Sequence, residues 1–167
     1  KVTVSATAAT GTINYDVTTQ SVLYYTSSAA ANWTLNLRGN GSTSLDTLMA
    51  TGESVTVAFL VTQGGTAYYN NVLQIDGTAV GVTVKWQGVA PTAGNVSGID
   101  AYTYCVIKTG AATFTVLASQ TPFVTGCRWS PLSLRRPPEL TVSPRAARFR
   151  SRISWSRGAG RVVTQTL

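Results

Sequence analysis

Through most of the first 123 residues, apolar and polar side chains alternate with a period of two. Trp33, Leu35 and Leu37 are spaced by Thr34, Asn36 and Arg38. Val80, Val82, Val84 and Trp86 are spaced by Gly81, Thr83, Lys85 and Gln87, and Phe114, Val116 and Ala118 by Thr113, Thr115 and Ser119. Successive side chains of an extended chain point to opposite sides, so this pattern predicts strands with one face on a core and one in water. Residues 55–61 and 102–107 are more continuously apolar and predict central strands. Residues 2–6, 13–17, 22–26 and 67–71 add further strands, giving eight or nine in all.

Turn residues separate these runs at short intervals: Thr10-Gly11, Arg38-Gly39-Asn40-Gly41, Gln63-Gly64-Gly65, Asp76-Gly77, Pro91 to Gly98, and Thr109-Gly110. Asp76-Gly77, set between Leu73/Ile75 and Val80/Val82, predicts a type I′ turn closing a hairpin. One helix is expected near 43–51. Thr43-Ser44-Leu45-Asp46 resembles a capping box, Leu45, Leu48 and Met49 share a face, and Gly52 ends it. Many short strands, close turns and a single short helix predict an all-β fold, an antiparallel β-sandwich of jelly-roll or immunoglobulin-like type. The 22 threonines of residues 1–123 suit the wet faces of such strands.

Composition divides the chain in two. Residues 1–123 carry four Lys and Arg against five Asp and Glu, a net charge of −1, whereas residues 124–167 carry nine Arg and the single Glu139, a net charge of +8. The tail also holds four of the six Pro, but no Lys, Asn, Asp or Tyr. It reads as an Arg/Pro-rich, non-globular extension of a domain spanning 1–123. Three origins are open: a basic arm contacting phosphates through Arg136, Arg145, Arg148, Arg150 and Arg152 with Trp155 as a stacking ring, a solvated disordered extension, or GC-rich codons read out of frame. The absence of Lys weighs against nucleic acid as a partner. Because the chain opens on Lys1 and its only methionine is Met49, it reads as a processed product or a fragment of a longer reading frame.

Several chemistries are excluded by composition. With no histidine there is no His general base, Ser-His-Asp triad or His-containing zinc site. Two cysteines, Cys105 and Cys127, are too few for a disulfide scaffold or a four-cysteine metal centre, and a Cys105–Cys127 pair is not expected. No apolar run approaches the roughly 20 residues of a membrane helix. Asp16, Asp46, Glu53, Asp76 and Asp100 are scattered; Asp46 fits a helix start and Asp76 a hairpin turn. Lys85 and Lys108 lack an evident acid partner. No enzyme, cofactor or metal site is therefore expected. Asn32-Trp33-Thr34, Asn40-Gly41-Ser42 and Asn95-Val96-Ser97 match the glycosylation pattern, but turn chemistry accounts for Asn40 and Asn95 without sugar.

The candidate binding residues are aromatic: the pairs Tyr24-Tyr25 and Tyr68-Tyr69, and Trp86. Neighbours on a strand face opposite ways, so one tyrosine of each pair is expected inside and the other outside. An exposed Tyr68 or Tyr69, or Trp86, near Asn70, Asn71 or Gln87, could stack on a sugar ring or anchor a protein contact. The competing reading is cross-strand packing.

These residues also carry a family resemblance. The run 13–27, opening Ile13-Asn14-Tyr15-Asp16 and containing Leu23-Tyr24-Tyr25, resembles a domain of marine tailed-bacteriophage (cyanophage-type) virion proteins. So do Asn32-Trp33-Thr34-Leu35-Asn36, Arg38-Gly39, Thr66-Ala67-Tyr68-Tyr69, Ile75-Asp76-Gly77, Lys85-Trp86-Gln87-Gly88 and the runs 98–104 and 112–121. The resemblance covers about residues 10–123. It implies a C-terminal β-domain of a virion structural or tail-fibre-like protein, located on the virion, with other virion subunits as partners and a homotrimer by analogy with phage fibres; a host-surface glycan is a further candidate partner, which the resemblance itself does not supply. Members of that family end about one residue after the position of Phe123, and Pro122 replaces an expected polar residue. No catalytic residue carries over. The alternative from a different class is a carbohydrate-binding module of a secreted or surface protein.

Overall fold

A computed structural model describes residues 1–124. The readings placed on the Arg-rich tail and on Cys127 lie outside the described residues. The elements follow the chain as β1 (Val2–Ala8), β2 (Gly11–Asp16), β3 (Val22–Ser27), β4 (Trp33–Arg38), α1 (Leu45–Leu48), β5 (Ser54–Thr62), β6 (Asn70–Ile75), β7 (Val82–Trp86), β8 (Ile99–Gly110) and β9 (Thr113–Phe123). They build a six-stranded sheet, β1-β3-β5-β8-β9-β7, and a three-stranded sheet, β2-β4-β6. The all-β expectation holds. One strand is displaced: residues 67–69 belong to the connection before β6, which starts only at Asn70.

The antiparallel expectation does not hold. β1·β3, β3·β5, β2·β4, β4·β6 and β7·β9 pair parallel, while only β5·β8 and β8·β9 pair antiparallel. The reason lies in the connections. From β1 to β7 the chain changes sheet after every strand, so β1·β3, β3·β5, β2·β4 and β4·β6 each join strands two steps apart, and two crossings restore the direction. Parallel strands need a crossover between them; in these four pairs a strand of the opposite sheet supplies it, whereas β7 and β9 are separated by β8 of their own sheet. The crossings themselves stack, with Ala30 N–H donating to Ala9 O at 3.0 Å, Ala29 N–H to Thr62 O at 2.9 Å and Trp33 N–H to Tyr69 O at 3.4 Å.

Parallel register stacks like residues in rows. Ile13, Leu35 and Leu73 form one row of the small sheet, and Tyr15, Leu37 and Ile75 form the next. All six are buried in the core. On the small sheet's other face Asn14, Asn36 and Gln74 align, with Asn36 Nδ2 donating to Asn14 Oδ1 at 2.8 Å. In the large sheet Leu23, Phe59 and Tyr102 are in register. Trp33 of the small sheet meets the rings of Phe59 at 5.7 Å and Tyr102 at 5.8 Å, both edge to face. One hydrophobic cluster therefore joins both sheets, and each large side chain buried in it contributes about 1.5–3 kcal/mol.

The predicted turn is present but the hairpin is not. Asp76 (φ 50) and Gly77 (φ 83) both take positive φ, as a type I′ turn requires. Ile75 and Thr78 exchange backbone hydrogen bonds of 2.9 and 3.1 Å across it. Beyond that bridge the chain leaves the small sheet, and β7 joins the large one.

Helix α1 is shorter than expected. Ser44 caps it, its hydroxyl accepting from Thr47 N–H at 3.0 Å. Leu45 and Met49 are buried, but Leu48 is 46% exposed, so the expected three-residue apolar face is corrected to two. The helix ends at Leu48 and Met49 already has extended backbone (φ −105, ψ 136), so the i, i+3, i+4 face is never completed. The expectation that Lys108 lacks an acid partner is also corrected. Buried on β8, its Nζ donates to Asp46 O at 2.5 Å and Met49 O at 2.9 Å, and lies 2.8 Å from Asp46 Oδ1. All three ammonium protons are thereby satisfied, and α1 is tied to the large sheet.

Candidate functional site

β6 closes one side of the small sheet and β7 the same side of the large sheet, and among the described residues each has a strand neighbour on one edge. A groove runs between them. It has a volume of about 350 Å³ and is lined by Tyr69, Asn70, Asn71, Leu73, Val84, Trp86, Ala90 and Pro91. Two of the five aromatic candidates, Tyr69 and Trp86, therefore share one cavity. Tyr68 does not belong to it. Gln63 clamps the Tyr68 backbone, its Nε2 donating to Tyr68 O at 2.6 Å and its Oε1 accepting from Tyr68 N–H at 3.0 Å.

The inside–outside expectation for the tyrosine pairs is corrected: Tyr24, Tyr25, Tyr68 and Tyr69 are all half-buried. Tyr24 and Tyr25 lie in β3, an inner strand of the large sheet, where both faces are partly covered. Tyr25 packs edge-on against Phe59 at 5.4 Å, and Tyr24 Oη lies 3.3 Å from Thr62 Oγ1. Tyr68 and Tyr69 precede β6, in a connection where strand alternation does not apply.

The groove floor is rigid for identifiable reasons. Trp86 is half-buried and meets Tyr102 at 6.4 Å and Tyr104 at 6.2 Å, edge to face, so one side of its indole belongs to the core. Asn70 is spent on the fold: Nδ2 donates to Trp33 O and Val72 O, and Oδ1 accepts the Tyr104 hydroxyl at 3.1 Å. Burial holds the Tyr104 phenol well above its ordinary pKa, so it stays a neutral donor there. Asn32 Oδ1 accepts from Tyr69 N–H at 3.1 Å, fixing the rim. Asn71 is exposed, and its amide has no hydrogen-bond partner among the described residues. Sequence reasoning reached Tyr69, Asn71 and Trp86. It missed the wall of Leu73, Val84, Ala90 and Pro91, because only the change of sheet after Asp76-Gly77 brings them together.

Other polar places are occupied by structural work. Asn40 Oδ1 accepts from Ser42 N–H and Thr43 N–H at 2.8 and 2.9 Å, an Asx turn. Arg38 pairs with Asp16 at 2.5 Å. Asp100 is buried, its Oδ2 accepting from Gln63 Nε2 and Asn95 N–H, each at 2.9 Å. Among the described residues no three Cys, Asp or Glu side chains converge as a metal site would require. No helix among them is long and apolar enough to cross a membrane. Cys105 is half-buried on β8, and no disulfide forms among the described residues.

The chain matches no protein-family model, no curated protein and no solved structure.

Proposed function

We propose that residues 1–124 are a non-catalytic structural and adhesive β-domain of a tailed-bacteriophage virion protein, located on the virion and packed against other subunits, in a homotrimer by analogy with phage fibres. The ordered motif series of residues 10–123 supports the family. The observation that carries the structural role is the edge strand β1. From Val2 to Tyr15 the chain has no charged side chain, yet among the described residues β1 pairs with β3 alone, with Val2 and Val4 56% and 63% exposed. Proteins that stay monomeric blunt such edges with lysine, proline or a covering segment. An uncharged open edge instead suits a strand completed by a neighbouring subunit. The paired sheets are read as a sandwich wound from a parallel coil, a reading supported by the core they share.

Immunogold electron microscopy tests the location. An antibody to residues 1–124 is expected to decorate particles of a phage carrying this reading frame, and unlabelled particles would overturn the proposal.

A further inference from the structure

We propose that the groove between β6 and β7 binds a neutral hexopyranose of a glycan. The inference extends the adhesive half of the function proposed above. Its chemistry is independent of the β1 edge, so either can fail while the other stands.

The lining selects the ligand class. Tyr69 and Trp86 offer aromatic surface, and Leu73, Val84, Ala90 and Pro91 complete an apolar wall. The C–H face of a pyranose matches such a surface while its hydroxyls need amides and phenols at the rim. Asn71, exposed and without a partner among the described residues, supplies both a donor and an acceptor there. No charged side chain lines the groove. A carboxylated or phosphorylated ligand would lose water there without gaining a counter-charge, which is unfavourable. The cavity's volume of about 350 Å³ lies at the small end of ligand sites, suiting a sugar residue rather than a large cofactor. Its frame is set in advance: the Trp86 ring by Tyr102 and Tyr104, the Tyr69 backbone by Asn32. Little ordering is left for the ligand to impose.

The test is saturation-transfer NMR on the full chain with the methyl glycosides of glucose, mannose and galactose, and methyl glucuronide as the acidic comparator. At least one neutral glycoside should receive saturation from the protein, with the glucuronide weaker. Asn71→Ala and Tyr69→Ala should each raise its dissociation constant about tenfold or more. Trp86→Ala should abolish binding, but that ring is also core, so the two rim variants decide, each first shown to melt like the parent. Silence from all three neutral glycosides overturns the proposal. So does equal or tighter glucuronide binding, or unchanged affinity in both rim variants.

Discussion

Asp76 holds the start of α1 from outside it, while Asp46 sits in the first turn. Both carboxylates lie beside polar runs, and from spacing alone Asp46 is the helix-start residue and Asp76 the turn residue. In the structure Asp76 occupies its turn and also accepts from Leu45 N–H at 2.7 Å and Asp46 N–H at 2.9 Å, satisfying two donors that the first turn of α1 leaves free. Asp76→Ala should therefore lower stability by about 0.5–2 kcal/mol, as loss of a cap does, and Asp76→Asn, which tolerates positive φ, by less. Urea midpoints of the three proteins check this order. Asp46 is released for an ion pair. The Lys108 ammonium, and after it the Ala112 N–H, hold its carboxyl below the ordinary 3.8. The folded state thus favours the ionised form, so this stabilisation is present above the unfolded value and is lost as pH falls through the folded one. The melting temperature of the parent should drop as pH falls below about 3.8, and Asp46→Asn should flatten that limb. An acid limb of unchanged steepness in the variant would show that other carboxylates govern it.

At the scale of elements, legibility follows from which forces are local. Strand existence was legible because the period of two is written in the residues themselves; Trp33, Leu35 and Leu37 are all buried, as their alternation requires. Strand pairing was not. The Asp76-Gly77 turn is correctly read from two residues that tolerate positive φ, but nothing in those residues says whether the next strand stays in the same sheet. In the structure β7 places Trp86 against Tyr102 and Tyr104 instead of continuing beside β6, a contact between residues far apart in sequence. The groove inherits this limit: its aromatic rim was readable, its existence was not. The same coil leaves β1 at the end of the large sheet, with no second strand neighbour among the described residues. Val4→Lys puts a charge on that edge at a 63% exposed position, and its cost to folding should stay within about 0.5 kcal/mol, as for other surface changes. Sedimentation of the parent should show self-association that Val4→Lys removes. A monomeric parent, or a variant that associates equally, would count against assembly through β1.

The whole molecule is held by a core with an unusual phenol content. Tyr15, Tyr102 and Tyr104 are fully buried with Trp33 and Phe59 where the two sheets meet. Burial pushes the Tyr15 hydroxyl up from 10.0 to about 12. Tyr102 is raised as well, by burial first and then by the neighbouring Asp100 charge, and Tyr104 by burial first and then by Tyr102. In each case the fold favours the neutral phenol. Their stabilisation is complete below the unfolded value of 10.0 and is lost as pH rises through the folded values. The molecule should therefore unfold in strong alkali in one transition, with the tyrosinate absorbance of these three rings appearing together with loss of the β signal in circular dichroism. Tyr102 offers the sharper test, because its buried hydroxyl makes no well-formed hydrogen bond among the described residues. Removing a polar atom that the fold leaves unsatisfied takes away a desolvation cost of about 1–3 kcal/mol and little else. Tyr102→Phe keeps the ring that meets Trp33, Trp86 and Tyr104. It should be as stable as the parent or more so at neutral pH, and should move the alkaline transition upward. A variant that melts well below the parent would mean that the hydroxyl has a partner holding the two sheets together.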